Sequence, residues 1–401
     1  MIEFELTRPP PGFLDDPYPF YAELRARDPV HQMEGGVFLS RYADALAVYR
    51  DPHASSDKKA EFGPKLGGAE NAPLYEHHTT SLVFNDPPLH TRVRRIIMGA
   101  VNQKAIARME PNVARLVDTL LGEMAERRTV NFIDEFAAQI PIEVIGNLLD
   151  IPRGERGPLR GWSVAILSGL EPKLTPAMFE AGNRAVTEFI AYLKELIAGR
   201  RRAPGDYESD VLTRLIQGEQ DGEKLTEREL YHQCIFLLNA GHETTTNLIG
   251  NGLWALLHNP AEMARLRADP ALVPAAVEEM LRYDGPIQLN NRRLTAPLAL
   301  PGRTLPAGTP VTIGIGAANR DPAQFADPER FDAGRKPNRH VAFGQGEHVC
   351  VGMNVARMEG RIAFTRLLAR FAHIELAGEP ERDRRVRFRG FRRLPVRVTA
   401  A

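Results

Sequence analysis

The stretch FGQGEHVCVG, residues 343–352, carries Cys350, one of only two cysteines in the 401-residue chain, among three glycines. Gly344, Gly346 and Gly352 clear side chains from around the sulfur and permit backbone conformations closed to most residues. Apolar periodicity resumes in MNVARMEGRIAFTRLLARF, which predicts a helix from Met353 whose positive end lies beside the thiol. Both features favour a thiolate. A lone cysteine is more often a small buried hydrophobe, so the setting carries the reading and the residue type alone does not.

Such a thiolate either attacks a carbonyl or binds a metal. His348, two residues away, is a candidate base for attack, but proximity in sequence does not hold a base in place. A single cysteine with no CxxC companion fits neither structural zinc nor an iron–sulfur cluster. Phe343 and the glycines suit a broad planar partner, which leaves haem iron with one axial thiolate. The stretch matches, at every fixed position, the FGxGxHxCxG signature of the cytochrome P450 superfamily, and the chain resembles that family along essentially its whole length. The resemblance implies a haem b (iron protoporphyrin IX) cofactor ligated by Cys350, with Phe343, Gly344, Ala240 and Gly241 against it.

Working outward, a capping box from Thr226 to Glu229 opens the longest predicted helix, which runs to His258. Near its middle lies NAGHETTTN, residues 239–247, polar between apolar flanks and therefore expected in the interior with partners or a purpose. The Thr244 hydroxyl is in reach of the Ala240 carbonyl, which would open the helix locally, with Gly241 leaving space beside it. The segment is similar to the family's AGxET motif, in which Glu243 and Thr244 relay protons to dioxygen over the haem. Splitting dioxygen needs two protons in order, and a hydroxyl beside a carboxylate is a short relay.

Glu279 and Arg282, three apart in AAVEEMLRYDGP, share a helix face. They match the family's buried ExxR pair, completed by Arg330 or Arg335 from the loop before the cysteine. In FNDPPLHTRVRR, residues 84–95, Asp86 reads as an N-cap with Pro87 first in the helix, so His90 and Arg94 fall on one face. By resemblance His90 and Arg94 hold a haem propionate with His348 and with Arg292, which has Arg293 beside it. Arg92 and Arg95 face away from His90, where they would help dock the acidic surface of a redox partner.

The remaining sequence bounds the reading. With 51 basic and 51 acidic residues, nothing in the composition draws the chain to nucleic acid or anionic lipid. The N-terminus MIEFELTRPPPGFLDDPYPF has no signal pattern, and no long apolar run marks a membrane anchor. Two cysteines make no disulfide framework, so a reduced cytoplasm is expected. The 31 prolines are scattered with no linker, which favours one domain over residues 1–401. Helical periodicity dominates, and strands are few and short, the best being LALPGRTLPAGTPVTIGI, residues 298–315, and VRFRGFRRLPVRV, residues 386–398. The alternation in the latter predicts a half-buried strand showing its arginines to water. The fold class is mainly α with small β-sheets, and the resemblance implies the P450 prism with a long central helix over the haem.

The implied activity is that of a monooxygenase inserting one oxygen atom from O2 into a small or mid-sized organic substrate by hydroxylation, epoxidation or O-dealkylation. The implied electron source is a separate ferredoxin or flavodoxin with its NAD(P)H reductase, and the expected state is a monomer. The alternatives are a peroxide-driven hydroxylase of the same fold and a non-catalytic haem sensor or electron carrier. The expected pocket walls are residues 62–84, 162–182, 235–245, 286–291 and the turn near Gly390. Leu82, Val83, Ile166, Leu167 and Leu289 would make it apolar, with Gln288, Asn290 and Asn291 offering hydrogen bonds.

Overall fold

The capping box forms as the sequence predicts. The Thr226 hydroxyl accepts from the Glu229 N–H at 3.2 Å, and the Glu229 carboxylate accepts from the Thr226 N–H at 2.8 Å. The helix it starts, Glu227–His258, is 32 residues long, about 48 Å at 1.5 Å per residue. Glu243 and Thr244 lie within its continuous helical run.

The computed structural model describes residues 2–400 except 66–70, 208–209 and 221. The chain divides into two units, residues 56–113 with 140–243, and residues 1–55 with 114–139 and 244–401. The long helix gives its first half to one and its second half to the other.

The unit that carries the cysteine loop is built on a five-stranded sheet in the order Val30–Met33, Gly36–Leu39, Pro310–Gly314, Leu289–Leu294, Ala54–Ser55. Only the pairing of Gly36–Leu39 with Pro310–Gly314 is parallel. Val37, Leu39, Val311 and Ile313 pack with Ala45, Val48 and Tyr49 in one core cluster; Phe38 and Leu289 pack with Phe4, Phe13 and Tyr21 in another. Being apolar on both faces, the sheet is fixed in register. The helix Val273–Tyr283 packs against the helix Met353–Arg370 that follows the cysteine loop. A second sheet joins Phe371–Leu376, Pro395–Ala400 and Thr129–Asn131.

The C-terminal segment departs from its sequence reading. Residues 386–389 form no strand beyond a bridge from Phe388 to Ile287, and Arg389 is buried. Asp284 accounts for this. Its carboxylate accepts from Arg389 at 2.6 Å, Arg382 at 3.1 Å and the Tyr18 hydroxyl at 2.8 Å. Burial works to raise its pKa, but Arg389 and Arg382 outweigh that and hold it well below the carboxylate range. The arginines turn inward because a buried anion requires them.

The other unit is helical. Pro73–Thr80 is tied to Pro176–Arg202 by the Leu74 N–H donating to Asn183 Oδ1 at 2.9 Å. Gln233 on the long helix fixes the segment that follows, accepting from the Leu82 N–H at 3.0 Å and donating to the Thr80 carbonyl at 2.9 Å. The helix bearing His90 and Arg94 spans Leu89–Ala100, not a start at Pro87. Asp86 is not its N-cap, because Asp86 Oδ1 is taken by the Ser56 N–H at 2.8 Å. Among the described residues no helix is long and apolar enough to cross a membrane.

Candidate active site

Cys350 is half-buried, just before the 18-residue helix Met353–Arg370. Its N–H donates to the Phe343 carbonyl at 2.9 Å, closing the loop. Gly346 has φ of +72°, and a Cβ there would lie 2.3 Å from the Tyr49 carbonyl oxygen, so only glycine lets the loop seat on Tyr49. Gly352 is the N-cap, and a Cβ placed on it would be 4.0 Å from Cys350 Sγ, which puts the sulfur at the positive end of the helix.

This arrangement fits an axial haem thiolate. The sulfur is a soft donor on a loop in which three of ten residues are glycine. Among the described residues no group of three or more His, Cys, Asp or Glu side chains is placed to hold a metal ion.

Arg292 meets the same loop through Tyr49. Its guanidinium lies 5.7 Å from the Tyr49 ring centroid and donates to Asn290 Oδ1 at 3.1 Å and the Asn291 carbonyl at 2.8 Å. Arg292 is buried, whereas Arg293 turns to the Gly308 carbonyl at 2.9 Å near the surface. Of the two, Arg292 is the inward cation. His348 lies in the turn Gly346–His348 of the cysteine loop. His90 is buried and Arg94 half-buried on their helix in the other unit.

On the long helix the polar insert is interior. His242, Glu243, Thr245, Thr246 and Asn247 are all buried. The space expected beside Gly241 is filled by Ile145, whose Cδ1 would lie 2.5 Å from a Cβ at that position. Thr245 reveals a group that the sequence reading missed. Its hydroxyl donates to Glu359 at 3.2 Å, and burial pushes the Glu359 carboxyl up to about 8. The available signal was an acid among Val355, Met358, Ile362 and Ala363 on the otherwise apolar buried face of the helix.

The expected polar wall is committed in part, Gln288 Oε1 being buried without a hydrogen-bond partner. Asn290 donates to the Tyr49 hydroxyl at 3.3 Å, Asn291 to Thr312 at 2.9 Å, and Gln288 to the Gly285 carbonyl at 2.9 Å. Leu289 lies in the core with Phe38 and Phe13 and does not face a pocket. Leu82, Ile166 and Leu167 are buried, Val83 is half-buried, and part of the first wall, residues 66–70, lies outside the described residues. Arg92 is engaged as well. It bonds Glu229, Glu223 at 3.2 Å and the Lys224 carbonyl at 3.1 Å, which removes it as a docking group; Arg95 is exposed.

The Glu279–Arg282 pair is fully buried, with bonds of 2.7 and 2.8 Å. Arg335, not Arg330, completes it, donating to Glu279 at 3.0 Å. Arg330 contributes only its carbonyl, which accepts from Arg282 and Arg335.

The family model described as Cytochrome P450 matches residues 170–397. Cytochrome P450 107B1 of Saccharopolyspora erythraea is 39% identical over 403 residues, covering 97% of this chain and 96% of that protein. The polyketide biosynthesis cytochrome P450 PksS of Bacillus subtilis is 34% identical over 403 residues, covering 96% of this chain and 97% of its own. The crystal structure of CalO2 superposes with a TM-score of 0.92 at 31% identity, covering both chains fully.

Proposed function

The chain belongs to the cytochrome P450 family and is a haem b monooxygenase, and from that premise we propose that Cys350 is the protein's axial ligand and that Glu243 and Thr244 manage protons during oxygen insertion into a mid-sized, largely apolar organic molecule. The observation that carries this reading is the half-buried Cys350 on a glycine-rich loop at a helix N-terminus. When bound, the haem supplies reductive activation of dioxygen, one atom entering the substrate and the other leaving as water with two electrons and two protons.

The residues around it divide the remaining work. Phe343, Gly344, Ala240 and Gly241 would bound a planar cofactor, and Arg292, His90, Arg94 and His348 would neutralise its propionates, for which a guanidinium or imidazole donor is suited. The Thr244 hydroxyl offers a proton at Oγ1, and the buried Glu243 carboxyl resupplies it. Behind them, Thr245 holds the Glu359 carboxyl at 3.2 Å, where burial keeps it protonated near neutral pH. The apolar lining by Leu82, Ile166 and Leu167 orients the target bond and excludes water.

The relatives support the substrate class. PksS is named for polyketide biosynthesis, and a polyketide-sized, weakly polar molecule suits a pocket whose expected polar side chains are turned to internal partners. We read residues 1–401 as one catalytic domain acting as a cytoplasmic monomer, with electrons from a ferredoxin or flavodoxin and its NAD(P)H reductase. The test is a panel of polyketides, sterols and fatty acids screened by shifts of the ferric haem band, then turned over under isotopically labelled dioxygen. Label in one product oxygen supports the reading. Turnover with peroxide alone, or no band shift across the panel, overturns it.

A further inference from the structure

A charged group outside the residues discussed so far reaches the cysteine loop. Arg357 stands seven residues after Cys350 on the helix Met353–Arg370. Its guanidinium lies 4.9 Å from the Phe343 ring centroid. Glu278 clamps it with two bonds of 2.8 Å, from Nε to Oε1 and from the terminal nitrogen to Oε2. The same Oε2 is 3.2 Å from His340 Nε2, and the His340 ring is 5.8 Å from Phe343. One carboxylate thus fixes both polar groups that flank Phe343. The Phe343 carbonyl in turn receives the Cys350 N–H at 2.9 Å.

The pair is only partly solvated, with side-chain exposures of 37% for Arg357 and 25% for Glu278, so its field is less screened than that of a surface pair. The bond to Glu278 does most to hold the guanidinium charged against the opposing effect of burial; the charge of Glu278 and, least, that of Cys350 add to it. Burial opposes ionisation of Glu278, but Arg357 and His340 outweigh it and lower its carboxyl to about 2, so both members of the pair are charged at neutral pH.

We propose that Arg357, clamped by Glu278 and stacked on Phe343, is a positioning residue that sets how much electron density the Cys350 sulfur gives to iron. This rests on the reading of Cys350 as axial ligand. A cation packed on Phe343, whose carbonyl receives the Cys350 N–H, draws charge toward the loop and favours the reduced protein, which carries one more negative charge. Glu278 opposes that field. Removing one member exposes the field of the other, so the two deletions act in opposite directions. Loosening of the loop alone gives no such opposition.

The experiment is a mediated redox titration of the haem-loaded protein without any electron-transfer partner. Only preparations whose ferrous–carbon monoxide complex shows the red-shifted thiolate band are compared; if the wild type lacks that band, the ligand assignment has failed, and not this proposal. Arg357→Met is expected to move the ferrous-to-ferric ratio at fixed potential about tenfold toward ferric, about 59 mV lower for one electron. Glu278→Gln is expected to move it the other way, and Arg357→Lys to restore most of the wild-type value. Unchanged potentials, as a pure docking role requires, or shifts of one sign in both deletions, overturn the proposal. Should Glu278→Gln not fold, the arginine variants decide: a shift in Arg357→Met that Arg357→Lys restores supports it, and equal potentials overturn it.

Discussion

Replacing Glu279 with alanine isolates the network beneath the cysteine loop. Glu279 accepts two bonds from Arg282, one each from Arg335 and Asn338, and one from the Asp332 N–H. Its removal strands Arg282, which is fully buried and keeps only carbonyl partners at Asn319, Pro328 and Arg330. Breaking a buried pair in this way costs about 3–5 kcal/mol. At about 2.1 cal/mol/K per residue, 401 residues give an unfolding entropy of about 0.8 kcal/mol/K, so the midpoint should fall by about 4–6 °C. Arg335→Ala loses a charge-assisted bond worth about 1.5–3 kcal/mol, or about 2–4 °C. Arg330→Ala removes only an exposed side chain and should stay within about 0.5 kcal/mol. Scanning calorimetry of the three haem-loaded variants gives the order directly. An Arg330→Ala loss equal to that of Arg335→Ala, or a Glu279→Ala midpoint within a degree of wild type, refutes the reasoning.

Gly346→Ala forces a Cβ to 2.3 Å from the Tyr49 carbonyl at a φ of +72°, whereas Gly344→Ala meets nothing nearer than 3.8 Å at a φ of +68°. The second variant bears only a conformational cost of about 1–2 kcal/mol, so haem transfer to an apoprotein acceptor should be faster from Gly346→Ala, and the reverse order would contradict the loop geometry. Glu359 gives a pH signature. Its carboxyl is raised from 4.5 to about 8 by burial, so the stability it contributes is full below the ordinary value and lost as pH rises toward 8, at up to about 1.4 kcal/mol per unit. Glu359→Gln, neutral throughout, should gain on wild type in thermal midpoint from about pH 5 to about pH 8; parallel profiles refute the assignment. Thr244→Ala should keep consuming electrons while product per electron pair falls severalfold and peroxide appears, and unchanged coupling would rule out its proton role.

What the sequence made legible follows chain locality. The capping box, the interior placement of residues 242–247 apart from the half-buried Thr244, and the Glu279–Arg282 pair depend on neighbours three or four apart, and each appears as read. The cysteine loop was legible because glycine spacing and a following helix are local as well. Readings that failed depended on long-range partners. Arg389 alternates like a surface residue, yet Asp284, 105 positions away, draws it inward. Asn290 and Asn291 looked available until Tyr49 and Thr312 took their amides. Arg92 looked like a docking cation until Glu229 and Glu223 claimed it. Gly241 promised room that Ile145 fills. In each case the competing partner lies far along the chain, where no periodicity points to it.

The central claim, that the Cys350 sulfur is the protein's donor to haem iron, is met most directly by the ferrous–carbon monoxide spectrum of the purified protein beside that of Cys350→Ser. The account predicts the red-shifted thiolate band in the first and its loss in the second. A protein that stays colourless after haem supplementation, or a mutant that keeps the band, would contradict it.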